Sequence, residues 1–141
     1  ACIATGNFGK MNGGHYLSVG ANRTTAYNLH NIFIQSFESN TFRGGDDKNY
    51  QYGLKEIFGR NYFDFVHSLR RCPALHLTKD DLREVKKNAK IVLKRLKENR
   101  KIRHPEERVR ERNRANKVIG IYPDDYGTFR LEKLELDSTK Q

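Results

Sequence analysis

Apolar residues recur along most of this chain at spacings of three and four, the repeat of a helix face. In residues 22–37, NRTTAYNLHNIFIQSF, the apolar positions are Ala26, Leu29, Ile32, Phe33 and Phe37. With Asn22 or Thr24 as its cap, this segment predicts an amphipathic helix ending near Asn40. YQYGLKEIF and RNYFDFVHSLRR extend the pattern through Leu54, Ile57, Phe58, Tyr62, Phe65, Val66 and Leu69. They predict a helix kinked or interrupted at Gly59 and stopped by Pro73. Thr78 and Asp81 have the spacing of a capping box, and the helix they open would bury Leu82, Val85, Ala89, Val92, Leu93 and Leu96 along one stripe. Pro105 suits the first turn of a further helix, PEERVRERNRANKV.

The period shortens at the carboxy-terminal end, where VIGIY and TFRLEKLEL flank PDDYG, a strand–turn–strand pattern with Gly127 in the turn. At the other end, nine of the 11 glycines fall within the first 59 residues. The opening ATGNFGKMNGGHYLSVGAN accordingly reads as turns and short extended pieces. The expectation is an α+β, helix-rich single domain over residues 1–141, with an irregular glycine-rich amino-terminal segment and a carboxy-terminal β-hairpin.

Charge narrows the choice of partners. The formal net charge is +10, and a protein this cationic attracts polyanions. Residues 79–117 hold 16 lysines and arginines against 7 acids, nearly the whole excess. On the helix opened by Thr78, Arg83, Lys87, Lys90, Lys94, Lys97 and Lys101 alternate steps of four and three, which puts them on one face. A solvated helix face would also be charged, but it would ordinarily mix signs, and like charges one turn apart cost helix stability. An anionic partner accounts for the ridge. No stretch approaches the roughly 20 apolar residues of a membrane span, so nucleic acid is preferred to a membrane surface. Tyr16, Tyr50, Tyr52 and Tyr62 are candidate platforms on which RNA bases would stack, unless they are half-buried core tyrosines. Cys2 and Cys72 are expected as free thiols in a reducing compartment. The chain as given shows no secretory signal, so one is either absent, which points to the cytoplasm, or already removed by processing on the way to secretion.

Zinc-finger spacing, a phosphate-binding loop, a dinucleotide fingerprint and a His-Glu-x-x-His helix are all missing. The strongest chemical constellation lies in residues 43–71. Asp64 and His67 are three apart, with Arg60 and Arg71 a turn to either side and Arg43 in the loop FRGGDDKNYQYG. A carboxylate, an imidazole and guanidiniums are the parts a phosphodiester-cleaving site needs: a base for the attacking group, an acid for the leaving oxygen, and cations for the charge on phosphorus. Asp64 would either orient the imidazole or join Asp46 and Asp47 around a divalent metal ion, Mg²⁺ or Zn²⁺. The plainer alternatives are a turn at Asp46, a helix cap at Asp47, an Asp64–Arg60 surface pair and a structural His67. His15, within NGGHY, is the next candidate histidine, followed by His30, His76 and His104.

The stretches IATGNFGKMNGGHY and FRGGDDKNYQYG, in a basic domain of this size, resemble the ribotoxin-like proteins of edible mushrooms. That resemblance implies a metal-dependent endoribonuclease that cuts one phosphodiester in the sarcin-ricin loop of ribosomal RNA and so stops translation, a toxin acting on the ribosome. It supplies no residue roles. Such an enzyme would act as a monomer without a small-molecule cofactor. The competing expectation is a non-catalytic RNA- or DNA-binding or ribosome-associated module in which only the cationic ridge matters.

Overall fold

The computed structural model describes residues 1–42, 46–101 and 103–135. It is α+β and rich in helix. Strands β1 (Met11–His15) and β2 (Ile32–Ser36) pair antiparallel, with Met11 opposite Ser36 and His15 opposite Ile32. Among the described residues six helices follow: α1 (Phe37–Phe42), α2 (Asp47–Phe58), α3 (Arg60–Ser68), α4 (Lys79–Glu98), α5 (Pro105–Ile119) and the single turn α6 (Asp124–Gly127).

The amphipathic helix expected over residues 22–37 does not form. Its place is taken by two 3₁₀ turns, Arg23–Thr25 and Leu29–Asn31, and then by β2. Side chains replace the helical backbone bonds. Asn31 Nδ2 donates to the Leu17 carbonyl while its Oδ1 accepts from the Leu17 amide, and Asn28 Oδ1 accepts from the His30 amide. Asparagine competes with the backbone in this way and so disfavours helix. In β2, Phe33 and Gln35 are buried and Ile34 is turned out, the alternation of a strand with one covered face. Gly14 of β1 leaves no room for a side chain, because a Cβ there would lie 2.8 Å from Gln35 Cβ.

The break at Gly59 is present: its φ of +87°, open to glycine at little cost, separates α2 from α3. One aromatic core, built on Tyr16, Phe33, Tyr50, Phe58, Tyr62 and Phe129, joins β1, β2, α2 and α3 to the carboxy-terminal segment. Cys2 and Cys72 are buried and unbridged.

Two expectations about packing are corrected. The capping box at the start of α4 is formed, yet of the six residues expected in its buried stripe only Val85 is buried. Val92 and Leu96 are half-buried, and Leu82, Ala89 and Leu93 are exposed. The reason is that α4 packs chiefly on one neighbour, α5, which covers only a narrow strip. The carboxy-terminal hairpin is likewise absent among the described residues. α5 continues through Val118 and Ile119, Gly120 closes it in the left-handed conformation, PDDYG forms α6, and Leu131–Lys133 is a 3₁₀ turn. The end of the expected second strand lies outside the described residues.

Candidate nucleic-acid interface

α4 runs 20 residues, about 30 Å, and carries the cationic ridge. The six ridge positions are not equivalent. Arg83 Nη1 lies 2.6 Å from Asp80 Oδ1, and Lys101, beyond the helix end, pairs with Glu107 at 3.4 Å. Lys87, Lys90, Lys94 and Lys97 are exposed and have no carboxylate partner among the described residues. These four form the uncompensated part of the ridge.

Tyr50 and Tyr62, two of the expected base platforms, are in the core with no exposed surface. Tyr50 Oη donates to the Gly14 carbonyl, and Tyr62 Oη lies 2.8 Å from His30 Nδ1. Neither ring can reach a base without unfolding the protein.

The acidic residues expected to share a metal sit in different settings. Asp64 pairs with Arg60 at 3.1 Å on the exposed face of α3. Asp46 adopts φ +55°, accepting from Ser39 Oγ through Oδ2 and from Asn49 Nδ2 through Oδ1. Asp47 is the exposed first residue of α2. Among the described residues no three His, Cys, Asp or Glu side chains converge as metal ligands. Arg43 lies outside the described residues.

His67 has a different partner from the one its spacing suggests. Its Nδ1 is 2.9 Å from Tyr16 Oη, and its ring stacks on Phe63, while Asp64 is engaged by Arg60. Burial holds the imidazole below its ordinary pKa, reinforced by Arg70, Arg71 and Lys55 and opposed by Asp64. The Tyr16 phenol is pushed up, first by burial and then by Asp47. The residue after β1 and the last turn of α3 thus meet at a neutral imidazole, near the charges of Lys55 on α2 and of Arg70 and Arg71. Of the sequence candidates, His67 and Arg71 belong to this group, with Asp64 as a peripheral charge.

Of the other histidines, His15 Nε2 lies 2.9 Å from the Ala26 carbonyl, and His30 is fully buried between Tyr62 and Asn113.

Among comparisons with known proteins, the family model described as Bacteriophage Lambda NinG protein matches residues 1–117. The chain belongs to the NinG family. This overturns the resemblance to ribotoxin-like proteins, since both stretches that prompted it lie inside the NinG match. Cleavage of ribosomal RNA, toxicity and inhibition of translation fall with it, having rested on that resemblance. No curated protein and no solved structure matches the chain. The NinG match takes in β1, β2, all of α1 to α4 and most of α5, so the lysine ridge and the Tyr16–His67 pair both lie within it. None of the described helices is long and apolar enough to cross a membrane.

Two functional features were missed in the sequence. Tyr16 is far from His67 in the chain, and nothing local links them. In α5, Arg110 pairs with Glu106 at 3.0 Å. Arg108 and Arg112, however, turn the other way and stack on Phe58 and Phe33. The signal was the spacing of four between these two arginines, in register with Val109 and Asn116 on the covered side of the helix.

Proposed function

We propose that this protein binds the sugar–phosphate backbone of duplex nucleic acid through Lys87, Lys90, Lys94 and Lys97. The observation that carries the reading is their exposure on one helix face without a carboxylate partner among the described residues. An exposed row of ammonium groups gains most from releasing the counterions condensed on a duplex. Of the four candidate platforms Tyr16, Tyr50 and Tyr62 are buried and Tyr52 is exposed, and a lone exposed ring favours backbone contact over stacking along successive single-stranded bases. Binding of a labelled duplex, followed by anisotropy across a salt series, tests this. Four phosphate contacts give a log–log slope of about −3.6. Lys90→Glu with Lys94→Glu abolishes most of the affinity, whereas unchanged binding by that double variant refutes the interface.

A second reading, hydrolysis of a phosphodiester, is favoured by the Tyr16–His67 contact. In the tautomer whose Nδ1–H donates to Tyr16 Oη, the His67 Nε2 lone pair is free to take a proton from an attacking water. Arg70 and Arg71 supply positive charge for the developing phosphorane oxygens. The buried thiols Cys2 and Cys72 support a reducing compartment, the cytoplasm.

A further inference from the structure

A cavity of about 850 Å³ opens between the amino-terminal residues, α2, the end of α4 and α5. It lies apart from the Tyr16–His67 pair, none of whose residues line it. Its walls are apolar at Ile3, Ile34, Ile57 and Leu96, and Tyr52, 66% exposed, stands among the lining residues. This volume suits a ligand of nucleotide size.

The polar end is built by Arg108 and Arg112, one turn apart on α5. Arg112 is spent inside the protein: its guanidinium donates to the carbonyls of Leu29, Ile32 and Arg108 and lies over the Phe33 ring at 3.9 Å. Arg108 is different. It is held 4.9 Å above the Phe58 ring, and its guanidinium has no hydrogen-bond or carboxylate partner among the described residues. Burial, and then repulsion by Arg112, lowers its pKa to about 10. The carboxylate of Glu111 in the same lining is already engaged by Arg95 at 2.8 and 3.0 Å and by Arg114 at 3.1 Å. Two neighbouring cations are therefore partly withdrawn from water, and among the described residues no carboxylate pairs with either. A partly desolvated, unpaired guanidinium is costly, and a bound phosphate relieves that cost through charge-assisted, bidentate hydrogen bonds.

We infer that this cavity binds a nucleoside monophosphate group, with the phosphate on Arg108, the sugar and base along the apolar wall and Tyr52 against the base. The group can come from a free nucleotide or from the phosphorylated end of a strand. Of the ridge only Lys101, already paired with Glu107, lines the cavity, and none of the four lysines proposed to hold the duplex does, so the inference stands or falls separately from duplex binding.

Titration calorimetry with AMP and with inorganic phosphate tests it on the full chain. Wild-type protein binds both, AMP more tightly. Arg108→Gln weakens both at least tenfold, and Arg108→Lys, which keeps the charge and loses the planar fork, is intermediate. Tyr52→Ala, at an exposed position, weakens AMP alone. Lys90→Glu with Lys94→Glu leaves AMP binding unchanged, and in that background a 5′-phosphorylated duplex competing with AMP where its unphosphorylated twin does not identifies the strand end as a source. If only AMP competes, the free nucleotide is the ligand. Failure of AMP to bind, or equal AMP affinity in wild type, Arg108→Gln and Tyr52→Ala, overturns the site.

Discussion

The Tyr16 hydroxyl and the His67 Nδ1 meet at 2.9 Å, tying the residue after β1 to the last turn of α3. A phenol that burial keeps protonated beside an imidazole that burial keeps neutral is a fixed hydrogen-bonded pair, with the imidazole ready to accept a proton from solvent.

If hydrolysis occurs here, His67→Ala lowers cleavage of a test duplex by about 10²- to 10⁴-fold, the usual contribution of a positioned base. Tyr16→Phe removes only the orienting hydroxyl and costs less. The working form of His67 is neutral, so the rate rises with pH and levels off, with a midpoint below the ordinary 6.5 because the pKa is lowered. Thermal midpoints of both variants, measured alongside, separate lost chemistry from lost folding. Undiminished cleavage by His67→Ala would remove this residue from the mechanism.

His30 makes the fold sensitive to acid. It is fully buried, and burial, with a further push from Arg112, lowers its pKa from 6.5 to about 3. Between those values the unfolded chain takes up a proton that the folded chain refuses. Stability is therefore complete above pH 6.5 and falls as the pH drops, by up to about 1.4 kcal/mol per pH unit. Urea midpoints across this range show the slope in wild type and a shallower one in His30→Gln. Equal slopes would assign the acid sensitivity to other groups.

What could be read from the sequence was local. The glycine break at Gly59, the Thr78–Asp81 box and Pro105 at the head of α5 are each decided within a few residues, and each is present. The segment 22–31 was misread because its asparagines bond to partners elsewhere: Asn116 Nδ2 reaches Asn28 Oδ1 across 88 positions. The α4 stripe was misread for another reason. Periodicity identifies an apolar face but not whether a neighbour covers it, and Leu93 on that face is 51% exposed. The same limit applies to the site. The spacing of Asp64 and His67 correctly put both on α3, but only the tertiary fold, which brings the residue after β1 to α3, makes Tyr16 the partner of His67 and leaves Asp64 to Arg60.

Asn116 is the side chain on which the long loop between the strands is hung. Its Oδ1 accepts from the Leu29 amide at 2.8 Å, and its Nδ2 donates to Asn28 Oδ1 at 2.9 Å and to the Gly127 carbonyl at 3.0 Å. Asn28 cannot turn its amide to compensate, because its Nδ2 donates to the Tyr126 carbonyl and its Oδ1 also accepts from the His30 amide. Asn116→Ala leaves buried polar groups unpaired, at about 1–3 kcal/mol for each group stranded. Asn116→Asp keeps the shape yet sets a carboxylate oxygen against two acceptors in a buried site, a loss of about 3–5 kcal/mol at neutral pH. The two variants then diverge with pH. Protonation turns the introduced carboxyl into a donor for one of those acceptors, so its pKa is raised in the folded state and the deficit of Asn116→Asp relative to Asn116→Ala shrinks as the pH falls. Chemical denaturation of both variants at neutral and mildly acidic pH measures this. A deficit independent of pH would mean that the introduced carboxylate has escaped to solvent and the asparagine network has opened around it.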